Sequence, residues 1–195
     1  MAVTAPNSER VVAILEAACR VAAREGAHGL RMGSVAQEAN VSKALVHYYF
    51  ATRRDLLRSA FSWADDRWDK ALDEKLAKLP TGAQKLEWAL LMSLDPKEPF
   101  AEHRALWNEV WSSLRFDDEL RPLVVASYRA WLSRLAGLVE EGRGDASIAP
   151  SVDAKQAASR LSAVSDGIDA MLYLGLLGRA KARTLMRETV RRELV

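Results

Sequence analysis

Apolar residues recur along this chain at spacings of three and four, with almost no alternation of period two, so the pattern predicts helices throughout and an all-α fold. A first helix is expected from about Ser8 to Glu25, with Val12, Leu15, Ala18, Cys19 and Ala22 inward and Gly26 as its stop, behind a plain tail over residues 1–7. Two short helices follow within residues 33–50. A long one runs from Thr52 to about Leu79, its apolar stripe being Leu57, Phe61, Ala64, Trp68, Leu72 and Leu76. At ~1.5 Å per residue it would span about 40 Å, long enough to join two parts of the molecule. Pro80-Thr81-Gly82 ends it, and Thr81 with Gln84 forms a capping box that opens a helix to about Leu94. Asp95-Pro96-Lys97-Glu98-Pro99 is a break. Glu102 to Arg115 is the next helix, and Asp117 opens another that runs to about Glu141 with Pro122 in its opening turns. The segment from Gly142 to Ser151 reads as a flexible loop. Asp153 caps a helix to about Leu177, Gly178 ends it, and Arg179 to Glu193 is amphipathic. The sum is nine helices without an internal repeat.

The stretch from Val35 to Phe50 is the most informative. Val35, Ala36 and Ala39 line one face of a short helix, and Ala36 is small enough for a second helix to cross close above it. Asn40 stands where that helix must stop, and Asn tolerates the left-handed conformation best after Gly. Val41 plugs the turn, and Ser42 is a good N-cap. In the second helix Val46, Tyr49 and Phe50 point inward at i, i+3 and i+4. Lys43, Ala44, Leu45, His47 and Tyr48 are left facing out. An ordinary helical hairpin would rarely expose Leu45, His47 and Tyr48 together beside Lys43. Thr52 and Asp55 form a further capping box, which sets Arg53, Arg54 and a positive helix end where phosphates would lie. The arrangement is a helix-turn-helix whose second helix would enter a DNA major groove.

The segment from about Ala17 to Leu57 resembles the DNA-binding domain of the TetR family of transcriptional repressors. The family pattern is an Ile/Val-Ala pair, an Ala-Gly-Val-Ser turn, a Leu-Tyr-x-Tyr-Phe recognition helix and a Lys opening the next helix. This chain carries Val35-Ala36, Ala39-Asn40-Val41-Ser42, Val46-His47-Tyr48-Tyr49-Phe50 and Arg53 in the same order and spacing. It departs at Asn40 for Gly, at His47 for Tyr, at Arg53 for Lys, and at Arg31, where Thr or Ser often caps the second helix. The resemblance implies a DNA-binding unit over residues 1–52, read through Arg31, Ser42, Lys43, Ala44, Leu45, His47, Tyr48 and Arg53. It implies a ligand-binding and dimerisation unit over residues 53–195, of about the nine-helix architecture counted above.

The formal charge of +2 says little, but its distribution says more. Residues 1–55 hold seven Lys/Arg against five Asp/Glu, residues 56–178 fifteen against nineteen, and residues 179–195 six against two. A mildly basic head on an acidic body fits a DNA reader whose body avoids DNA. The single cysteine, Cys19, excludes a disulfide framework and lies in an apolar helical pattern. No secretory leader and no apolar run near eighteen residues is present, so a cytoplasmic protein without a membrane partner is expected. Enzyme readings fail on spacing. Glu25-x-x-His28 contains Gly26 and has no second copy, and His28, His47, His103 and Cys19 lack metal-ligand spacing. No nucleophile elbow, phosphate loop or dinucleotide fingerprint occurs, so neither metal nor cofactor is expected.

The body carries Trp88, Met92, Trp107, Trp111, Tyr128 and Trp131. Trp107 and Trp111 share a helix face, as do Tyr128 and Trp131. These rings are either a solid core or the walls of a pocket in which His103, Asn108 or Glu109 fixes an apolar, aromatic or cationic compound. The family resemblance points to such an effector pocket. In the last two helices Leu161, Ser165, Ile168, Leu172 and Leu176, then Met186 and Val190, suit a four-helix interface between two copies. Asp166 and Asp169 would be hydrogen-bonding groups beside it. The basic final helix also admits a membrane-surface reading, though its apolar face lacks Trp or Phe anchors. The sequence therefore describes a homodimeric repressor released from a palindromic operator by a small ligand. The alternative is a helical binding protein or enzyme that keeps a vestigial helix-turn-helix.

Overall fold

The computed structural model describes residues 5–94, 100–114 and 118–195. The expected break at 95–99, and the helix boundary expected at Asp117, lie outside the described residues. Among those described there is no strand, and the elements are α1 (Ala5–Gly29), α2 (Met32–Glu38), α3 (Lys43–Tyr49), α4 (Arg53–Leu76), α5 (Gly82–Met92), α6 (Phe100–Ser113), α7 (Arg121–Gly144), α8 (Ala154–Tyr173) and α9 (Arg179–Glu193). A single 3-10 turn at Asp118–Leu120 precedes α7. The backbone groups into two units, residues 1–69 with 97–125 and residues 70–96 with 126–195.

In the first unit α1 packs against both α2 and α6. A helix covered from two sides needs a wide apolar stripe. Its buried residues are accordingly Ile14, Leu15, Ala17, Ala18, Cys19, Val21 and Ala22, while Val12, expected inside, is exposed. The helix also begins at Ala5, within the expected tail, and continues past Gly26 to Gly29. Glycine costs about 1 kcal/mol in a helix interior, too little to stop one that gains this much burial. Met32, Val35, Ala36, Val46, Phe50, Leu56, Leu57, Ala60, Phe61 and Ala64 complete this core with Leu106, Val110, Leu120 and Val124. Cys19 is buried here, its thiol directed at the Ala60 carbonyl, as the sequence pattern implied.

In the second unit α5, α8 and α9 pack together, and α7 meets α5 at Gly142 and α8 through Tyr128. The first turn of α5 lies directly on α7: a Cβ added to Gly82 would meet the Gly142 nitrogen at 2.1 Å. Thr81 caps α5 by accepting the Gln84 N–H. The expected flexible loop is instead stitched down. Helix α7 runs to Gly144, Asp145 accepts the Gly82 N–H at 2.7 Å, Ser147 accepts the Ala83 N–H at 3.1 Å, and Ile148 is buried. These acceptors satisfy donors that the first turn of any helix leaves open. The hydrogen bonds that Asp145 accepts hold its carboxyl below the usual carboxylate range, that from the Ser147 hydroxyl first and that from the Gly82 N–H next. Helix α8 begins at its expected cap, Asp153, but ends at Tyr173 rather than Leu177. Gly175, at φ 69°, takes the left-handed position, with Leu176 N–H donating to Met171 and Gly175 N–H to Leu172. Gly178 instead precedes α9 as its N-cap. The expected stop was Gly178, and it is Gly175, three residues earlier, that adopts the left-handed form.

Candidate DNA interface and effector region

The turn between α2 and α3 is built as its residues dictate. Asn40 has φ 53°, the Val41 N–H donates to Ala36 and the Asn40 N–H to Gln37. This is the Schellman pattern, with Asn in the position that Gly usually fills, and Val41 packs on the core beside it. Ser42 then caps α3, its hydroxyl accepting the Leu45 N–H at 3.1 Å. Thr52 and Asp55 exchange backbone hydrogen bonds of 3.0 and 3.1 Å and so open α4. In α3, Val46 is buried, while Tyr49 and Phe50 are held against the core. Lys43, Ala44, His47 and Tyr48 are exposed, and Leu45 is half-buried. Tyr48 is 75 % exposed and makes an edge-to-face contact with Tyr49, with centroids 5.0 Å apart.

The cations of this region fall into two groups. Arg20 and Arg24 of α1 both hold Glu38 of α2, at 2.9 and 3.0 Å. These two hydrogen bonds, Arg20 first, lower the Glu38 carboxyl below its ordinary range. Arg54 pairs with Glu119 at 2.7 Å, and Arg53 donates from Nε to the Leu30 carbonyl at 2.8 Å. Lys43 and His47, one turn apart on α3, have no such partner among the described residues. Neither does Arg31, which precedes α2 without capping it by its side chain. Lys43 and Arg31 thus leave positive charge without an ion-pair partner among the described residues, with the His47 imidazole exposed beside Lys43 on the outward side of α3.

The aromatic residues expected to form a pocket are divided between the units. In the first, α4 and α6 build a ladder of rings. Trp68 stacks on His103 at 5.2 Å, His103 faces Trp107 at 6.4 Å, and Trp107 stacks on Phe61 at 5.4 Å. Trp111 follows Trp107 at 6.4 Å and is 57 % exposed. His103 Nε2 lies 2.9 Å from an Asp65 oxygen. Phe61, Asp65 and Trp68 were not among the expected site residues, although their spacing of four and three marks one face of α4. Asn108 is exposed on α6. In the second unit Trp88, Tyr128 and Trp131 are half-buried and Met92 is buried. The Tyr128 hydroxyl donates to Asp166 at 2.6 Å and accepts from Ser162 at 3.1 Å, tying α7 to α8. Desolvation first, and the Asp166 carboxylate second, push the Tyr128 hydroxyl up. Desolvation also raises the Asp166 carboxyl, against the pull of Tyr128.

The residues expected to join two copies are placed differently. Leu161, Ser165, Ile168, Met186 and Val190 are buried inside the protomer, in the packing of α5, α8 and α9. They form the floor under the outer face. Leu172 is half-buried and Leu176 is 70 % exposed. The outward side of α8 is Ala163, Gly167, Ala170 and Leu174, at i, i+4, i+7 and i+11. Among the described residues no helix is long and apolar enough to cross a membrane, and no cluster could hold a metal ion.

A capped helix-turn-helix with an exposed lysine, histidine and tyrosine on its outer helix, carried on an all-helical body, defines a DNA-binding transcriptional regulator. The chain belongs to the TetR family, and its body is of one particular type. Residues 14–60 match the bacterial regulatory proteins of the tetR family, and residues 82–195 match the C-terminal domain of BetI-type transcriptional repressors. Among curated proteins it is similar to the HTH-type transcriptional regulator BetI of Burkholderia ambifaria (strain MC40-6), 27 % identical over 156 residues, which cover 80 % of this chain and 77 % of that protein. Among solved structures it resembles a transcriptional regulator from Saccharomonospora viridis in complex with choline, at 25 % identity and TM-score 0.86, covering 96 % of this chain and 98 % of that one. A TetR-family regulator from Rhodococcus sp. is 26 % identical at TM-score 0.84, covering 96 % and 100 % of the two chains.

Proposed function

We propose that this chain acts in the cytoplasm as a homodimeric repressor whose operator is vacated when a small organic cation of the quaternary-ammonium class binds its body. In this reading residues 1–52 are the DNA-binding unit and residues 53–195 the effector and dimerisation unit. Arg31 and Ser42 approach the DNA backbone, and Lys43, Ala44, Leu45, His47 and Tyr48 enter the major groove. Lys43 suits guanine O6/N7 and Leu45 a thymine methyl. Two copies joined along the Ala163, Gly167, Ala170 and Leu174 side of α8 present two α3 helices to a palindrome whose half-sites lie about 34 Å or somewhat more apart.

The observation that carries the effector class is the ring ladder beside a carboxylate. The Trp68, His103 and Trp107 rings stack on one another, Trp111 continues the series to an exposed position, and Asp65 lies beside His103. Aromatic rings next to a carboxylate are the combination that attracts an organic cation. The choline complex of the similar Saccharomonospora viridis regulator supports the same class. Asn108 and Trp111, on α6 with His103 and Trp107, are the further residues assigned to this region. The test is a fluorescence-anisotropy titration on a duplex spanning the DNA upstream of the chain's own reading frame, with and without choline. Binding of that duplex in preference to an unrelated one, weakened by choline and not by an equal concentration of sodium chloride, is the expected result. Preferential binding that choline leaves untouched would sink the effector class alone. Equal binding to both duplexes would sink the repressor reading at this DNA.

A further inference from the structure

The guanidinium of Arg53 is engaged inside the protein through its first nitrogen, on a backbone carbonyl. Its Nε donates at 2.8 Å to the carbonyl of Leu30, across 23 residues of sequence and in a partly buried position. Leu30 has a fully buried side chain and lies between the end of α1 at Gly29 and the start of α2 at Met32. A carbonyl at such a junction has no place in either helix's ladder and needs a donor from elsewhere. Arg53 is the first residue of α4, and the capping exchange between Thr52 and Asp55 fixes where it starts. One hydrogen bond therefore joins the opening of α4 to the opening of α2. Since α2 is bound to α3 through the turn at Asn40, the position of α3 follows from it.

We infer that Arg53 is a positioning residue for the recognition helix and not a phosphate contact. This rests on the reading that α3 meets DNA. The distinction has a physical signature. A cation that neutralises a phosphate contributes to every DNA sequence alike and to the salt dependence of binding. A residue that sets the seating of α3 contributes where base edges are read, so its loss falls on the operator and spares unrelated DNA.

Glutamine separates the two, because its amide nitrogen is as many bonds from Cα as Arg Nε. Arg53→Gln keeps a donor for the Leu30 carbonyl and removes the charge. Arg53→Met fills similar volume and supplies neither. Anisotropy titrations would use the upstream duplex and an unrelated duplex of equal length, each over a range of salt concentrations. The expected result for Arg53→Met is a loss of about tenfold or more on the upstream duplex, the scale of losing a hydrogen bond from a charged donor. Its affinity for unrelated DNA and its salt slope should stay as in the wild type. Arg53→Gln should restore most of the preference between the two duplexes. If both variants lose affinity equally on both duplexes and each lowers the salt slope by about one, Arg53 is a phosphate contact and the inference is overturned. A wild-type protein that shows no preference for the upstream duplex would overturn the DNA reading and this inference with it. Should Arg53→Met fail to fold, the salt slope of Arg53→Gln decides alone.

Discussion

Gly82 and Gly142 lie so close that a methyl group on the first would fall 2.1 Å from the nitrogen and 2.4 Å from the Cα of the second. Both neighbouring atoms are backbone, so no rotamer change can relieve the overlap. Gly82→Ala must push α5 off α7 and break the Asp145 and Ser147 bonds that join them, a loss of at least about 1–3 kcal/mol. Gly137, exposed in the interior of α7, meets nothing within 4 Å of an added Cβ. Gly137→Ala should therefore stabilise by up to about 1 kcal/mol. Thermal melts of the two variants should move in opposite directions, and equal shifts would show that the close approach is absent.

Asp145 gives that junction an acid-sensitive part. Its carboxyl is held below the ordinary range in the folded protein, so its contribution is present above the unfolded value and is lost as pH falls through the folded one. Asp145→Ala should melt below the wild type at pH 7. The gap should narrow through the carboxylate range and below it. A gap of constant size from pH 7 to pH 2 would remove the charged acceptor from the account.

Trp111 and Trp107 should respond unequally to truncation. Trp111 is mostly exposed, so Trp111→Ala should leave the melting temperature nearly unchanged. Trp107 is stacked on Phe61, and its loss should approach the lower end of the ~3–5 kcal/mol seen for buried aromatic truncations. If Trp111 contacts the effector, Trp111→Ala binds operator normally but needs more choline for release. A steep stability loss at position 111 without any change in the choline response would place it outside the effector region.

Lys43, exposed on α3, has no ion-pair partner among the described residues. Lys43→Ala should weaken operator binding by about 1–3 kcal/mol and relax the preference at one base pair. A selection from randomised duplexes reads this directly. Uniform weakening on all sequences would make Lys43 a phosphate contact.

Ala170 tests the dimer without disturbing the protomer. Its position on α8 is exposed, so Ala170→Glu leaves the unit's own core intact and places a carboxylate on the proposed joining face. Sedimentation should show a monomer with an unchanged helical spectrum and greatly reduced operator affinity. A variant that stays dimeric would put the interface on another surface.

What the sequence made legible was mostly local. Asn40, Ser42, Thr52 and Asp55 each act within five residues of their partners, and each adopts the expected role. Asp153 and the α9 boundaries were readable for the same reason. The end of α8 was not: Gly178 was the expected stop, and the left-handed turn falls at Gly175, a difference set by the backbone angle that each glycine adopts. The apolar periodicity of α8 and α9 could not say which protein surface covers it, and Leu161, Ile168 and Met186 turned out to face their own chain. The ring ladder joins Phe61 and Trp68 to His103 and Trp107 across some forty residues, a proximity that no local pattern encodes. Arg53 is the instructive case: its spacing suggested a phosphate ligand, and its Nε is bonded to a carbonyl 23 residues earlier.

The first unit is assembled from residues 1–69 and 97–125, and that has a consequence for its birth on the ribosome. When α4 has emerged, the helix-turn-helix is complete in sequence, yet α1 still lacks Leu106, Val110, Leu120 and Val124, which close its core. At ~5–20 residues per second the missing pieces arrive roughly 3–10 s later. Until then the part of α1 that α6 covers is bare, a surface that invites chaperone capture or aggregation. A fragment ending near residue 79 would stay in that state permanently. The DNA-reading end is thus not a detachable module, and a fusion or library built on it must carry the chain through at least residue 125.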